Sequence, residues 1–139
     1  MTTHLEDFKI NIRIKLSALW TSVMFCYIYG DYFELYVPEK VQGLLNGHNM
    51  LDTPIKLFTA TFILTVPALM IFLSLMLSAK LTKWLNIGIG IFFTILTFLV
   101  GISSISEWRM FYVFLSFLES IITLIVIWQA WTWKKSNVE

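Results

Sequence analysis

Three carboxylates fall within apolar sequence: Asp31, Glu34 and Glu119. Glu119 lies near the middle of the run Met110–Trp133, which is long enough to cross a bilayer. A carboxylate at that depth costs about 2.5–3.5 kcal/mol on insertion scales, so it is protonated, paired or functional. The chemistry open to such groups is proton or cation binding, or general acid/base work on a substrate held between two of them. The sequence holds no glycine-rich phosphate loop, no nucleophile elbow and no haem-ligating histidine pair. His4 and His48 fall on opposite sides of the topology argued below, and Cys26 alone supplies no thiolate cluster. The expectation is therefore no metal and no cofactor, with Cys26 a small buried hydrophobe.

Helical spacing gathers these acids with other polar groups. Trp20, Met24, Tyr27, Asp31 and Glu34 recur at intervals of four and three, within about 80° of one another at 100° per residue. Tyr112, Ser116, Glu119 and Thr123 repeat the pattern. A third stripe is small and polar: Asn86, Gly90, Thr94, Thr97, Gly101 and Ser104. Small residues let helices approach closely in lipid, and hydroxyls bond across them. The three stripes are expected to meet. By helical rise, Glu119 sits about 15 Å below the interface marked by Arg109, near the midplane, and Asp31 about 10 Å from the loop beginning at Pro38. The candidate site is an acidic pocket with Glu34 at its mouth, Asp31 below and Glu119 at its floor. Trp20, Tyr27, Tyr112, Ser116 and Thr123 complete its lining, with Arg109 and His48 at the rim.

The elements that must position these residues are membrane helices. The chain has 139 residues, 58% hydrophobic and 14% charged, with a mean hydropathy of +0.75; a water-soluble domain carries about 25% charged residues. A net charge of +1 argues against nucleic acid as a partner. One domain, 1–139, is expected, an all-α bundle of four transmembrane helices with approximate spans 14–37, 55–79, 84–106 and 109–133. The first is interrupted by Gly30, Asp31 and Glu34 and has no cleavage site after it, so it reads as a retained helix. Four spans put Lys9, Arg13, Lys15, Lys80, Lys83, Lys134 and Lys135 on one side and Lys40, Lys56 and Arg109 on the other. That asymmetry places both termini in the cytoplasm. Trp84, Trp128, Trp131 and Trp133 mark the inner interface and Trp108 the outer. Pro67 predicts a kink in the second span. The loop 38–54 faces outside, where Val41, Leu44 and Leu45 can seat a short turn on the membrane surface.

The segment Gly30-Asp31-Tyr32-Phe33-Glu34-Leu35-Tyr36-Val37-Pro38, preceded by Lys15-Leu16-Ser17-Ala18-Leu19-Trp20, resembles an uncharacterised family of small bacterial four-span membrane proteins, a domain of unknown function. The likeness extends through Arg109, Phe111-Tyr112-Val113 and Glu119. It implies a bacterial inner-membrane protein and a glycine after Pro38, where this chain has Glu39. It implies no activity.

Function then rests on the residues. The leading expectation is a pocket that binds or transports a cationic or protonatable small solute, with Glu119 as the titrating group. Four helices rarely enclose a whole pathway, so a homodimer in the lipid bilayer is implied, the small-residue stripe 86–104 being one candidate interface. The alternatives are a non-catalytic membrane subunit or sensor, whose polar stripes are glue, and a membrane-embedded enzyme using Asp31 and Glu119 on a lipid-like substrate.

Overall fold

Asn11 opens the first helix, its side chain accepting the backbone N–H of Arg13 at 2.9 Å. A computed structural model of the chain describes residues 9–134; His4 and Lys135, which enter the sequence reading, lie outside the described residues. Helix α1 (Ile12–Glu34) stops ahead of Pro38. Glu39 then turns the chain with φ 64°, a left-handed conformation that glycine adopts freely and that a side chain strains. The glycine anticipated after Pro38 thus has a physical reason, and this chain does without it. The turn leads into a short α2 (Lys40–Leu45). Thr53 and Pro54 start α3 (Pro54–Met76), the Thr53 hydroxyl accepting the Lys56 N–H at 3.3 Å. Leu77 and Ser78 reverse the chain directly into α4 (Ala79–Ser103), and a 3-10 turn, Glu107–Arg109, leads into α5 (Met110–Trp131). With no proline or glycine before Gly88, α4 begins as soon as the chain has turned. Lys80 and Lys83 therefore ride its first turns and do not lie in a loop.

Among the described residues everything is helix and turn. Three helices, Pro54–Met76, Ala79–Ser103 and Glu107–Trp131, are long and apolar enough to cross a membrane. They are clad in exposed Phe62, Phe92, Ile95, Phe114, Ile121 and Leu124, the surface of a membrane protein. At 23 residues, α1 equals α3 in length but is not one of the three, because Asp31, Glu34 and several hydroxyl-bearing side chains dilute it.

The long helices alternate in direction. α1 packs on α3 and α5, and α5 carries α4, whereas α3 and α4 share little contact although only two residues join them. At the joint end, Leu16, Trp20, Met70, Ile87, Phe93 and Val126 form a closed core. Its polar groups are paired. Trp20 Nε1 donates to Asn86 Oδ1 at 2.8 Å, while Asn86 Nδ2 donates to Thr82 O at 2.8 Å and to Ser74 Oγ at 3.2 Å. Cations finish the helix ends, where carbonyls lack intrahelical donors. Arg13 Nη1 donates to Leu75 O at 3.1 Å, and Lys83 Nζ to Trp131 O and Trp133 O at 3.0 and 3.3 Å.

Toward α2 the packing changes. The buried residues of α3 are Pro67, Met70 and Ser74. From Pro54 to Thr65 every α3 residue except Ala60 and Ile63 is exposed. The helix continues through Pro67, and its packing begins there. Thr59, Thr61 and Thr65 turn their hydroxyls back onto the carbonyls of Ile55, Leu57 and Thr61, so this stretch offers no polar group to its neighbours.

Candidate functional site

The stand-off of α3 leaves a cavity of about 100 Å³ among α1, α3, α4 and α5. Its polar lining is Tyr27 and Asp31 from α1, Thr97 from α4, and Tyr112, Ser116 and Glu119 from α5. Leu64 supplies the α3 wall. Glu119 and Ser116 are 5% and 2% exposed. Through their backbones they accept the hydroxyls of Thr123 and Ser120, each at 2.9 Å, while the Glu119 carboxyl and the Ser116 hydroxyl face the cavity and make no hydrogen bond among the described residues. The phenolic oxygen of Tyr27 is buried with no partner either. An enclosed hydroxyl such as that of Tyr27 normally finds one, since an orphan costs about 1–3 kcal/mol.

The backbone geometry that creates this site depends on small residues. A Cβ on Gly30 would lie 3.5 Å from the Tyr112 ring, which covers α1 at that point. A Cβ on Gly101 would lie 3.1 Å from Ser116 Cβ, and one on Gly90 only 2.8 Å from Ile127 Cγ1. The small stripe of α4 therefore seats α5 within one protomer, and a dimer through that face would require the protomer to open. The hydroxyls of the two helices bond there: Thr97 with Ser120 at 2.8 Å, and Thr94 to Thr123 at 2.7 Å.

The remaining sequence candidates separate from the cavity. Trp20 lies in the closed core on Asn86, and Thr123 lies in the α4–α5 seam. Glu34 is buried, and its carboxylate accepts Arg109 through Nε at 3.1 and 3.2 Å and through Nη2, as well as Lys40 Nζ at 2.9 Å. Arg109 also lies 5.9 Å from the Tyr112 ring, the cavity's wall. His48 joins Glu34, Lys40 and Arg109 around a separate, shallow depression of about 360 Å³ under the α2 loop. No residue of 38–54 lines the cavity itself. Met24 is half-buried, while Gly30 occupies the centre of the inward face of α1 and Asp31 its edge.

The chain matches a family of unknown function, DUF6326, over residues 4–139. It belongs to that family. Comparison with curated proteins and with solved structures gives no match. In this DUF6326 chain the G-D-Y-F-E-L-Y-V-P segment contributes one acid to each of two places, Asp31 to the cavity and Glu34 to the ion-pair cluster. Sequence reasoning missed Lys40, whose approach depends on the Glu39 turn, and also the cavity-lining Cys26, Gly30 and Leu64. Gly30 had a signal, being the small residue between Tyr27 and Glu34 on one helical face.

Proposed function

We propose that this protein is a four-span protein of the bacterial inner membrane that binds a small monovalent cation, metal or ammonium, in the cavity between Asp31 and Glu119. The observation that carries this reading is a buried carboxyl, Glu119, facing a cavity and lacking any hydrogen-bond partner among the described residues. An anionic or proton-bound group in such a place is stabilised by a ligand that brings positive charge or donors. The cavity's about 100 Å³ corresponds to about three waters at 30 Å³ each. It is well below the roughly 300–1,000 Å³ of ordinary small-molecule pockets, so the cavity itself takes only a compact charged group. No group of three His, Cys, Asp or Glu suited to a metal occurs among the described residues, and two carboxyls suit a single positive charge better than two.

The fourth span is α1. It is about 35 Å long by helical rise, packs on α3 and α5, and turns Ile14, Phe25, Ile28 and Phe33 outward. Positive residues at the joint end support cytoplasmic termini, which makes the α2 end external and the cavity an outward-half site. Transport through such a site calls for a second copy, paired through a face other than the small stripe of α4.

Carbodiimide labelling of the purified protein, with modified carboxyls located by peptide mass spectrometry, tests the reading. Glu119 is expected to label, and sodium, potassium or methylammonium to protect it. An unreactive Glu119 beside a labelled Asp31, or labelling indifferent to every cation, would turn the search toward partner proteins.

A further inference from the structure

The gap between α3 and α4 does not end at the acid cavity. Toward the joint lies a second, separate apolar groove of about 250 Å³, walled by Phe62 and Val66 of α3 and by Gly88, Phe92 and Phe93 of α4. Cavity and groove share no lining residue, but their linings are neighbours along both helices. Leu64 lines the first, while Ile63 and Val66 line the second. On α4, Thr97 of the cavity lies one turn, about 6 Å, from Phe93 of the groove. Phe93, a buried core ring, separates the two, its ring 6.5 Å from that of Tyr27 on the cavity side and 5.2 Å from that of Phe92 on the groove side. A Cβ built on Gly88 meets nothing within 4 Å, so the groove floor is open.

Resting on the cation reading of the cavity, we infer that the ligand is an amphiphilic ammonium: its charged head sits with Asp31 and Glu119, and its apolar tail lies over Phe93 into the α3–α4 groove. The charge of the cavity selects the sign of the head. The cavity's small volume limits the head to a compact group, and the phenylalanine walls accept a flat or linear tail. Because the groove is also open to the lipid-facing surface, such a molecule enters sideways from the bilayer, where amphiphilic amines concentrate.

The test is protection of Glu119 from carbodiimide by n-alkylammonium ions, from methyl to octyl, on the full chain in lipid nanodiscs. The half-protecting aqueous concentration is expected to fall about fourfold per methylene until the groove is full. Longer chains also partition into the bilayer, so the decisive comparison is with Gly88→Leu, which adds a side chain where a Cβ meets open space. That variant should keep methylammonium protection and lose most of the dependence on chain length. Phe62→Ala, at an exposed side chain, should shorten the series from the other wall. Equal chain-length dependence in the wild type and both variants would overturn the inference, leaving the cavity a site for small cations. If no ammonium protects Glu119, the inference falls together with the cation reading.

Discussion

Around Asn86, Trp20, Ser74, Thr82 and Asn86 itself exchange hydrogen bonds across α1, α3 and α4, and the amide is fully buried. Farther toward α2, Glu119 and Ser116 are buried and Tyr27 is half-buried with its hydroxyl enclosed, yet their side-chain oxygens have no partner among the described residues. The same four helices build both regions, so the contrast does not come from composition. It comes from α3, which packs from Pro67 onward and stands away before it. Where the fourth wall is present, polar groups hold helices together. Where it is absent, they are left facing a space. Unmade hydrogen bonds are a stability cost of about 1–3 kcal/mol each, and it is this cost that the proposed ligand would offset at the α2 end.

The sharpest way to break the comparison is at the satisfied end. Asn86→Ala removes the acceptor of the Trp20 indole N–H and the link to Ser74 in one step. Individual interhelical bonds in membranes average about 0.6 kcal/mol, but an orphaned indole donor adds to the loss. A destabilisation of about 3 kcal/mol is expected in equilibrium unfolding in mixed micelles. A loss below about 0.5 kcal/mol would mean that the closed end is held by shape alone.

The next largest effect should come from the cluster that closes the α2 end. Arg109→Ala leaves the buried Glu34 with Lys40 alone. Removing one partner of a fully buried pair costs about 3–5 kcal/mol, and the one-third exposure of both cations reduces this to about 2 kcal/mol. Adding 1 M salt should change the wild type little, since Glu34 itself is buried. A strong salt dependence would show that water reaches the pair freely and that the cluster is not a closure.

How much of this was readable in advance follows from the reach of each signal. Period and hydropathy act within one helix, so they place Ser116, Glu119 and Thr123 together on α5 and the small stripe on α4. They do not say which helix covers a face. The sequence assigns Trp20 to the acid pocket because its spacing to Tyr27 is right; the structure gives it to Asn86, a residue 66 positions away. Arg109 reads as a rim residue of the pocket, and its bond to Glu34, which takes it out of the cavity, spans 75 positions. Asp31 and Gly30 illustrate a finer limit. A one-residue shift turns a helix face by 100°, and the face of α1 that turns inward carries Gly30 against the Tyr112 ring, which a pattern of polar residues does not encode.

A smaller effect, of opposite sign, sharpens the picture of the α2 end. Glu39→Gly relieves the left-handed turn and should stabilise the protein by about 1 kcal/mol. The turn would also hold Lys40 on Glu34 as before, so the gain should vanish in the Lys40→Ala background only if the turn's geometry serves the ion pair. Additivity of the two substitutions would separate strain from pairing.

The smallest stability effect belongs to the most buried acid. Asn86 and Glu119 are both inside, and carboxyl to amide is nearly isosteric, so an ordinary buried, bonded carboxyl would lose about 1–3 kcal/mol in Glu119→Gln. With no partner to lose, Glu119 should give a change within about 0.5 kcal/mol, measured in the same micelles without added amine or metal ion. The two variants then diverge in opposite directions once ligand is present. Cations that protect Glu119 should raise the unfolding stability of the wild type with concentration, by linkage, and leave Glu119→Gln unmoved, while Asn86→Ala, destabilised at the far end, should retain the ligand response. A large loss in Glu119→Gln without ligand would instead assign the carboxyl to holding helices together, and would erase the difference between the two ends on which its role as a binding group depends.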